Sequence, residues 1–161
     1  MTVAELFQLA NLPPNGPVKF SGTDPLSPIT DAAGVYVVAR AGNANEGCKA
    51  RELPLKDHPG IDLYDPYERM RWLPGEPIVY IGKTGRSVRK RVAEFRRQEC
   101  GRPGPHDGGQ IVRLLECDLW VYWSPANDLS DAEFTMLCAF IRHTGLPPFG
   151  NELGGRIRHR I

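Results

Sequence analysis

No stretch of this chain carries the roughly 18 consecutive apolar residues that a membrane-spanning helix needs. The first residues, Met1 to Ala10, hold Glu5 but no basic segment of the kind that opens a secretory leader. The expectation is a cytoplasmic protein with no membrane partner. The four cysteines, Cys48, Cys100, Cys117 and Cys138, include no CxxC pair. A disulfide framework is not expected in a chain of 161 residues with 41% hydrophobic content. Cys138 lies in an apolar helical pattern and reads as a reduced core thiol. Structural zinc usually draws on close ligand pairs. A site built from these cysteines with His58, His106 or His143 is therefore the less favoured alternative. Internal repeats, low-complexity tracts, a helix-turn-helix, a zinc finger and a long basic tail are also missing.

Net charge is low as well, at +1, but its distribution is uneven. Residues 1–81 hold 7 Lys/Arg against 10 Asp/Glu, and residues 82–161 hold 13 against 9. Between Lys83 and Arg97 seven basic residues stand with one acid, Glu94. Such a stripe is either a solvated helix face or a phosphate-contacting surface. As a surface for nucleic acid it would use Lys83, Arg86, Arg89, Lys90, Arg96 and Arg97.

The length suits one domain with a real core. It divides into an N-terminal extension (1–33), an insertion (40–77) and a basic tail (152–161). A short helix is expected over Ala4 to Ala10, ended by Leu12-Pro13-Pro14-Asn15-Gly16. A short strand is expected over Val18 to Ser21. Gly34-Val35-Tyr36-Val37-Val38 and Ile78-Val79-Tyr80-Ile81 are near-continuous apolar runs, which predicts two central strands buried on both faces. Ser87 is a reasonable N-cap for a helix over 87–98, with Val88, Val92 and Phe95 on one face. Ile111 to Leu115 and Leu119 to Trp123 read as further strands. The clearest helix spans Ser130 to His143, with Phe134, Leu137, Cys138 and Ile141 forming its stripe. Ser130 and Glu133 have the spacing of a capping box, and Gly145 with Pro147-Pro148 ends the helix. The fold class is α+β: a small mixed or antiparallel central sheet flanked by helices.

Five elements in order then resemble the GIY-YIG nucleases. They are Gly34-Val35-Tyr36, Tyr80-Ile81-Gly82 followed by Lys83-Thr84, Arg91 on the next helix, Glu133 opening a later one, and Asn151. Together they cover residues 34–151. The resemblance implies a GIY-YIG nuclease-like fold and a metal-dependent endonuclease that hydrolyses a DNA phosphodiester bond. The implied site is Tyr36, Tyr80, Lys83, Arg91, Glu133 and Asn151. Tyr36 would be the general base or water-positioning group with Tyr80 beside it, and Arg91 the phosphate clamp. Glu133 would hold one divalent ion, Mg²⁺ or Mn²⁺. The expected partner is double-stranded DNA, with a homodimer or a second protein as further candidates.

The chemistry suits these residue types. Arginine grips phosphate through a permanently charged, bidentate guanidinium. A Mg²⁺-like ion takes few carboxylates and keeps several waters. Tyrosine, with a reference pKa of about 10, needs a nearby cation to act as a base; Lys83 and the metal are the expected perturbers. Each residue also has an ordinary explanation. The tyrosines suit strand ends, Glu133 suits a capping box, Arg91 a snorkelling side chain and Asn151 a turn.

The chain departs from the family pattern in three places. The segment between the tyrosines is long. The Tyr80-to-Arg91 spacing is one residue longer, which leaves Arg89 as an alternative clamp. Phe95 stands where many members carry histidine, and His106 or His143 would have to substitute. Two other functions remain open. One is a non-cutting nucleic-acid-binding module on the same fold. The other is a protein-interaction domain anchored by Tyr64, Tyr67 and Trp72 of the insertion.

Overall fold

The computed structural model describes residues 1–40, 72–98, 112–113 and 115–151. Among them are helices α1 (Val3–Leu9), α2 (Val88–Arg97) and α3 (Leu129–Thr144), and strands β1 (Asn15–Lys19), β2 (Gly34–Ala39), β3 (Ile78–Thr84) and β4 (Trp120–Pro125). The strands form one antiparallel sheet in the order β1-β4-β2-β3. The architecture of the described residues is α+β, a four-stranded antiparallel sheet with three helices.

Alternation along the strands decides what each face buries. Val35, Val37, Ala39, Ile81 and Tyr122 point to one side, where they pack with Val3, Leu6 and Phe7 of α1 and Met136 and Phe140 of α3. Tyr36, Val38, Val121 and Trp123 point to the other and meet Val88, Val92 and Phe95 of α2. Both faces of the sheet are therefore covered, which explains the unbroken apolar runs.

Local signals fix the helix starts. In α1, Glu5 N donates to Thr2 Oγ1 at 3.1 Å and Thr2 N donates to Glu5 Oε2 at 2.7 Å, a reciprocal capping box. The Ser87 hydroxyl accepts from Lys90 N in α2, as expected. For α3 the expectation fails. The N-cap is Asp128, whose carboxylate accepts from Asp131 N at 2.9 Å. Ser130 and Glu133 thus lie inside the first turns and form no capping box. Gly145, at φ 81°, ends α3 in the left-handed conformation.

Three other expectations are corrected. Val112 and Arg113 form a 3₁₀ turn and Leu115 a single bridge, so no strand runs there among the described residues. The first strand lies at Asn15–Lys19 instead of Val18–Ser21, because pairing with β4 starts at Asn15, opposite Trp123, and ends at Lys19, opposite Trp120. Among the described strands β3 is an edge strand, and the second central one is β4. The outer edge of β3 is nevertheless covered. Gly150 N donates to Val79 O at 2.7 Å. The Asn151 side chain donates to Ile81 O at 2.7 Å and accepts from Ile81 N at 2.9 Å. One amide side chain thereby stands in for a neighbouring strand.

The two ends of the 40–77 segment meet. Arg40 N donates to Pro77 O at 2.8 Å, and the Arg40 guanidinium binds Glu76 O and lies 4.4 Å from the Trp72 ring. Trp72 is buried against Phe149, with ring centroids 5.1 Å apart. It is part of the core and not the exposed anchor that the sequence suggested. Tyr64 and Tyr67 lie outside the described residues. No helix among the described residues is long and apolar enough to cross a membrane.

Candidate catalytic site

Strand register assembles the tyrosines. Tyr36 pairs with Gly82 across β2 and β3, and Val38 pairs with Tyr80. Tyr36, Tyr80 and Gly82 therefore lie on the α2 side of the sheet, and the two rings sit 5.8 Å apart. Gly82 makes this possible. A Cβ there would lie 2.7 Å from Tyr80 Cε1 and 2.9 Å from Tyr36 Cζ. Tyr80 also stacks edge-on against Phe95 at 5.0 Å. Phe95 thus fills the position expected of a histidine by walling the tyrosine pair with an apolar ring.

Tyr36 is fully buried, and its hydroxyl lies beside Tyr80 and the Arg91 guanidinium, with no hydrogen bond of good geometry to either. Tyr80 is the more open of the two. Burial pushes the Tyr36 hydroxyl well above its ordinary pKa, and the neighbouring Tyr80 adds to the rise. Burial also raises Tyr80, and the charge of Glu133 acts in the same direction. The Arg91 guanidinium pulls both downward. Both phenols are thus neutral near pH 7. The expected lowering by Lys83 is not found, because the lysine is engaged elsewhere.

Lys83 follows Gly82 and points to the α3 side. Its Nζ lies 2.9 Å from Glu133 Oε2 and 3.0 Å from Ser130 Oγ. Because Ser130 and Glu133 are not a capping box, both side chains are free to meet Lys83. The site straddles the edge strand. The tyrosines and Arg91 come from one face, the Lys83–Glu133 pair comes from the other, and Tyr80 feels both Arg91 and Glu133.

The geometry separates the two candidate clamps. Arg89 Nε donates to Ile29 O at 2.8 Å, and its Nη1 pairs with Asp31 at 3.1 Å. Arg89 therefore ties α2 to the segment before β2. Arg91 acts on the tyrosines, and its Nη1 lies 3.6 Å from Glu94. Glu94 also receives Arg86 Nη2 at 3.1 Å. Sequence reasoning missed Glu94 as a partner, although its i+3 position after Arg91 signals it.

Arg96 is likewise occupied. Its guanidinium donates to the carbonyls of Phe20, Lys19 and Asp24. Burial lowers its pKa. It clasps α2 to the end of β1, and its donors are in use. Lys90 and Arg97 are exposed on α2, and Arg86 is largely exposed. Asn151 serves the backbone of β3 and holds Ile81 between Tyr80 and Gly82. His143 lies beside Glu76 and the amine of Met1 at the far end of α3. His106 is outside the described residues. Cys117 and Cys138 form no disulfide among the described residues.

No family model matches the chain, no curated protein matches it in sequence, and no solved structure matches it in fold.

Proposed function

We propose that this chain is a metal-dependent endonuclease of GIY-YIG type that hydrolyses a phosphodiester bond in DNA. One observation carries the reading. Tyr36, Tyr80 and Arg91, which are scattered over the sequence, come together on one face of the edge strand, and Glu133, paired with Lys83, stands on its other face.

Each residue has a role that its surroundings allow. Arg91 presents a fixed positive charge beside two phenols, suited to gripping a phosphate that approaches them. Tyr80, the more open phenol, is neutral and can accept a hydrogen bond from the attacking water, which orients it. Tyr36 lies behind it, its buried hydroxyl close to both Tyr80 and Arg91. Asn151 fixes the peptide between Tyr80 and Gly82 and is a positioning residue.

Glu133 fits the role of ligand to a single Mg²⁺ or Mn²⁺ ion. It is not used as a helix cap, it is partly open, and its charge reaches Tyr80. Such an ion needs only one or two carboxylates, with water and phosphate oxygens completing its shell. When bound, it would supply charge neutralisation at the phosphoryl and leaving oxygens. Lys90, Arg97 and Arg86 on the open face of α2 would contact flanking phosphates.

Plasmid nicking in Mg²⁺ or Mn²⁺ tests the proposal. Wild type should cut, while Glu133→Ala, Arg91→Ala and EDTA-treated protein should not. Cutting that survives Glu133→Ala would refute the metal assignment. Salt-sensitive DNA binding with no cutting by any form would favour a non-cutting binding module.

A further inference from the structure

The acidic and basic groups of the site neutralise one another in the free protein. Lys83 Nζ sits on Glu133 Oε2 at 2.9 Å, and Ser130 Oγ holds the same ammonium at 3.0 Å. The two charged side chains are only 19% and 22% exposed, so water screens the pair incompletely. A carboxylate paired in this way offers little net charge to a hydrated divalent ion, which gives up its water reluctantly. Lysine suits a bond that must break. Its charge is a compact point on a flexible four-carbon stem, without the bidentate fork by which arginine locks onto a carboxylate.

Building on the nuclease reading, we propose that Lys83 is a displaceable counter-cation. It occupies Glu133 in the free protein, and an arriving phosphate draws it away, so that Glu133 takes up the metal only when nucleic acid is present. Ser130 is the positioning residue that holds the ammonium over the carboxylate. Metal and nucleic acid then bind with positive coupling, and linkage makes the effect mutual. The arrangement keeps the free protein from being a standing metal site and ties assembly of the catalytic centre to its substrate.

The experiment is a Mn²⁺ titration of the whole chain, with free ion followed by electron paramagnetic resonance and folding checked by circular dichroism. Lys83→Met should raise Mn²⁺ affinity about five-fold, the size expected for one partly exposed ion pair. Ser130→Ala should shift it in the same direction by less. Arg142→Met removes an equal charge from an exposed position on α3 and should change nothing. Glu133→Ala should abolish binding. A short DNA duplex, corrected for its own Mn²⁺ uptake, should raise the affinity of wild type more than that of Lys83→Met.

Unchanged or weaker binding in Lys83→Met, with Glu133-dependent binding intact in wild type, would overturn the counter-cation and leave the nuclease reading standing. An equal gain in Arg142→Met would overturn it too, as an effect of bulk charge. Absence of Glu133-dependent binding in every form would remove the metal site itself, and the inference with it.

Discussion

Replacing Gly82 with alanine puts a methyl group where two tyrosine rings already lie. The new carbon would stand 2.7 Å from Tyr80 Cε1, 2.9 Å from Tyr36 Cζ and 3.0 Å from the Tyr36 hydroxyl. Tyr80 has some room to swing outward. Tyr36 has none, since it is fully buried between β2 and α2. Backbone strain is not at issue, because Gly82 is not among the positive-φ glycines. Alanine alone would therefore stabilise by about 0.4–1 kcal/mol through the unfolded chain. Forcing an extra carbon into a packed site costs about 1–3 kcal/mol. The steric term wins, and a net loss on the order of 1–2 kcal/mol is expected.

Gly85 is the matched control. An added Cβ there meets only Leu129 Cδ1, at 4.0 Å. Gly85→Ala should be neutral or stabilising by about 0.5 kcal/mol. Urea denaturation of both variants, followed by circular dichroism, reads the difference. Nicking activity should fall in Gly82→Ala alone, because the tyrosine pair must shift. Equal stability of the two variants would refute the close approach of the rings to Gly82 on which the site rests.

Further expectations concern the edge of β3, the buried phenols and the basic face of α2. Asn151→Ala strips partners from the Ile81 peptide and should cost about 1–2 kcal/mol. Faster amide exchange at Ile81 would confirm that the loss lies at the β3 edge. Tyr36→Phe should leave stability at pH 7 within about 1 kcal/mol of wild type, because the buried hydroxyl it removes makes only weak contacts with Tyr80 and Arg91. The folded protein holds its Tyr36 and Tyr80 protons more tightly than the unfolded chain does. That stabilisation is complete below about pH 10 and is lost as the pH rises above it, by up to about 1.4 kcal/mol per pH unit for each phenol. Urea melts between pH 9 and 11 should therefore fall more steeply for wild type than for Tyr36→Phe. Finally, Lys90→Ala and Arg97→Ala should each lower the salt slope of DNA affinity by about 1. Arg96→Lys should leave that slope unchanged and instead lower stability, because lysine cannot serve three carbonyls with one fork.

Much of the fold is legible from short-range pattern. The apolar runs at 34–38 and 78–81, the stripe of Val88, Val92 and Phe95, and the stop at Gly145 all depend on neighbours a turn or a strand away. Tyr36, Tyr80, Arg91 and Glu133 were nominated by the order of five short elements and the resemblance it carries, since each residue alone has an ordinary explanation.

The remainder depended on contacts distant in the chain. Whether β3 is central or an edge strand is decided by β4, which inserts between β1 and β2. Local pattern made Ser130 and Glu133 a capping box, but Asp128 took the N-cap and left both side chains for Lys83. Arg89, Arg91 and Arg96 look alike as letters. Only packing shows that the first holds a loop, the last clasps β1, and Arg91 alone acts on the tyrosines. The sequence determined which chemical groups are present and which elements carry them. The tertiary structure decided which partner each group has, because a charge or hydroxyl can act only after it lets go of what the fold has set beside it.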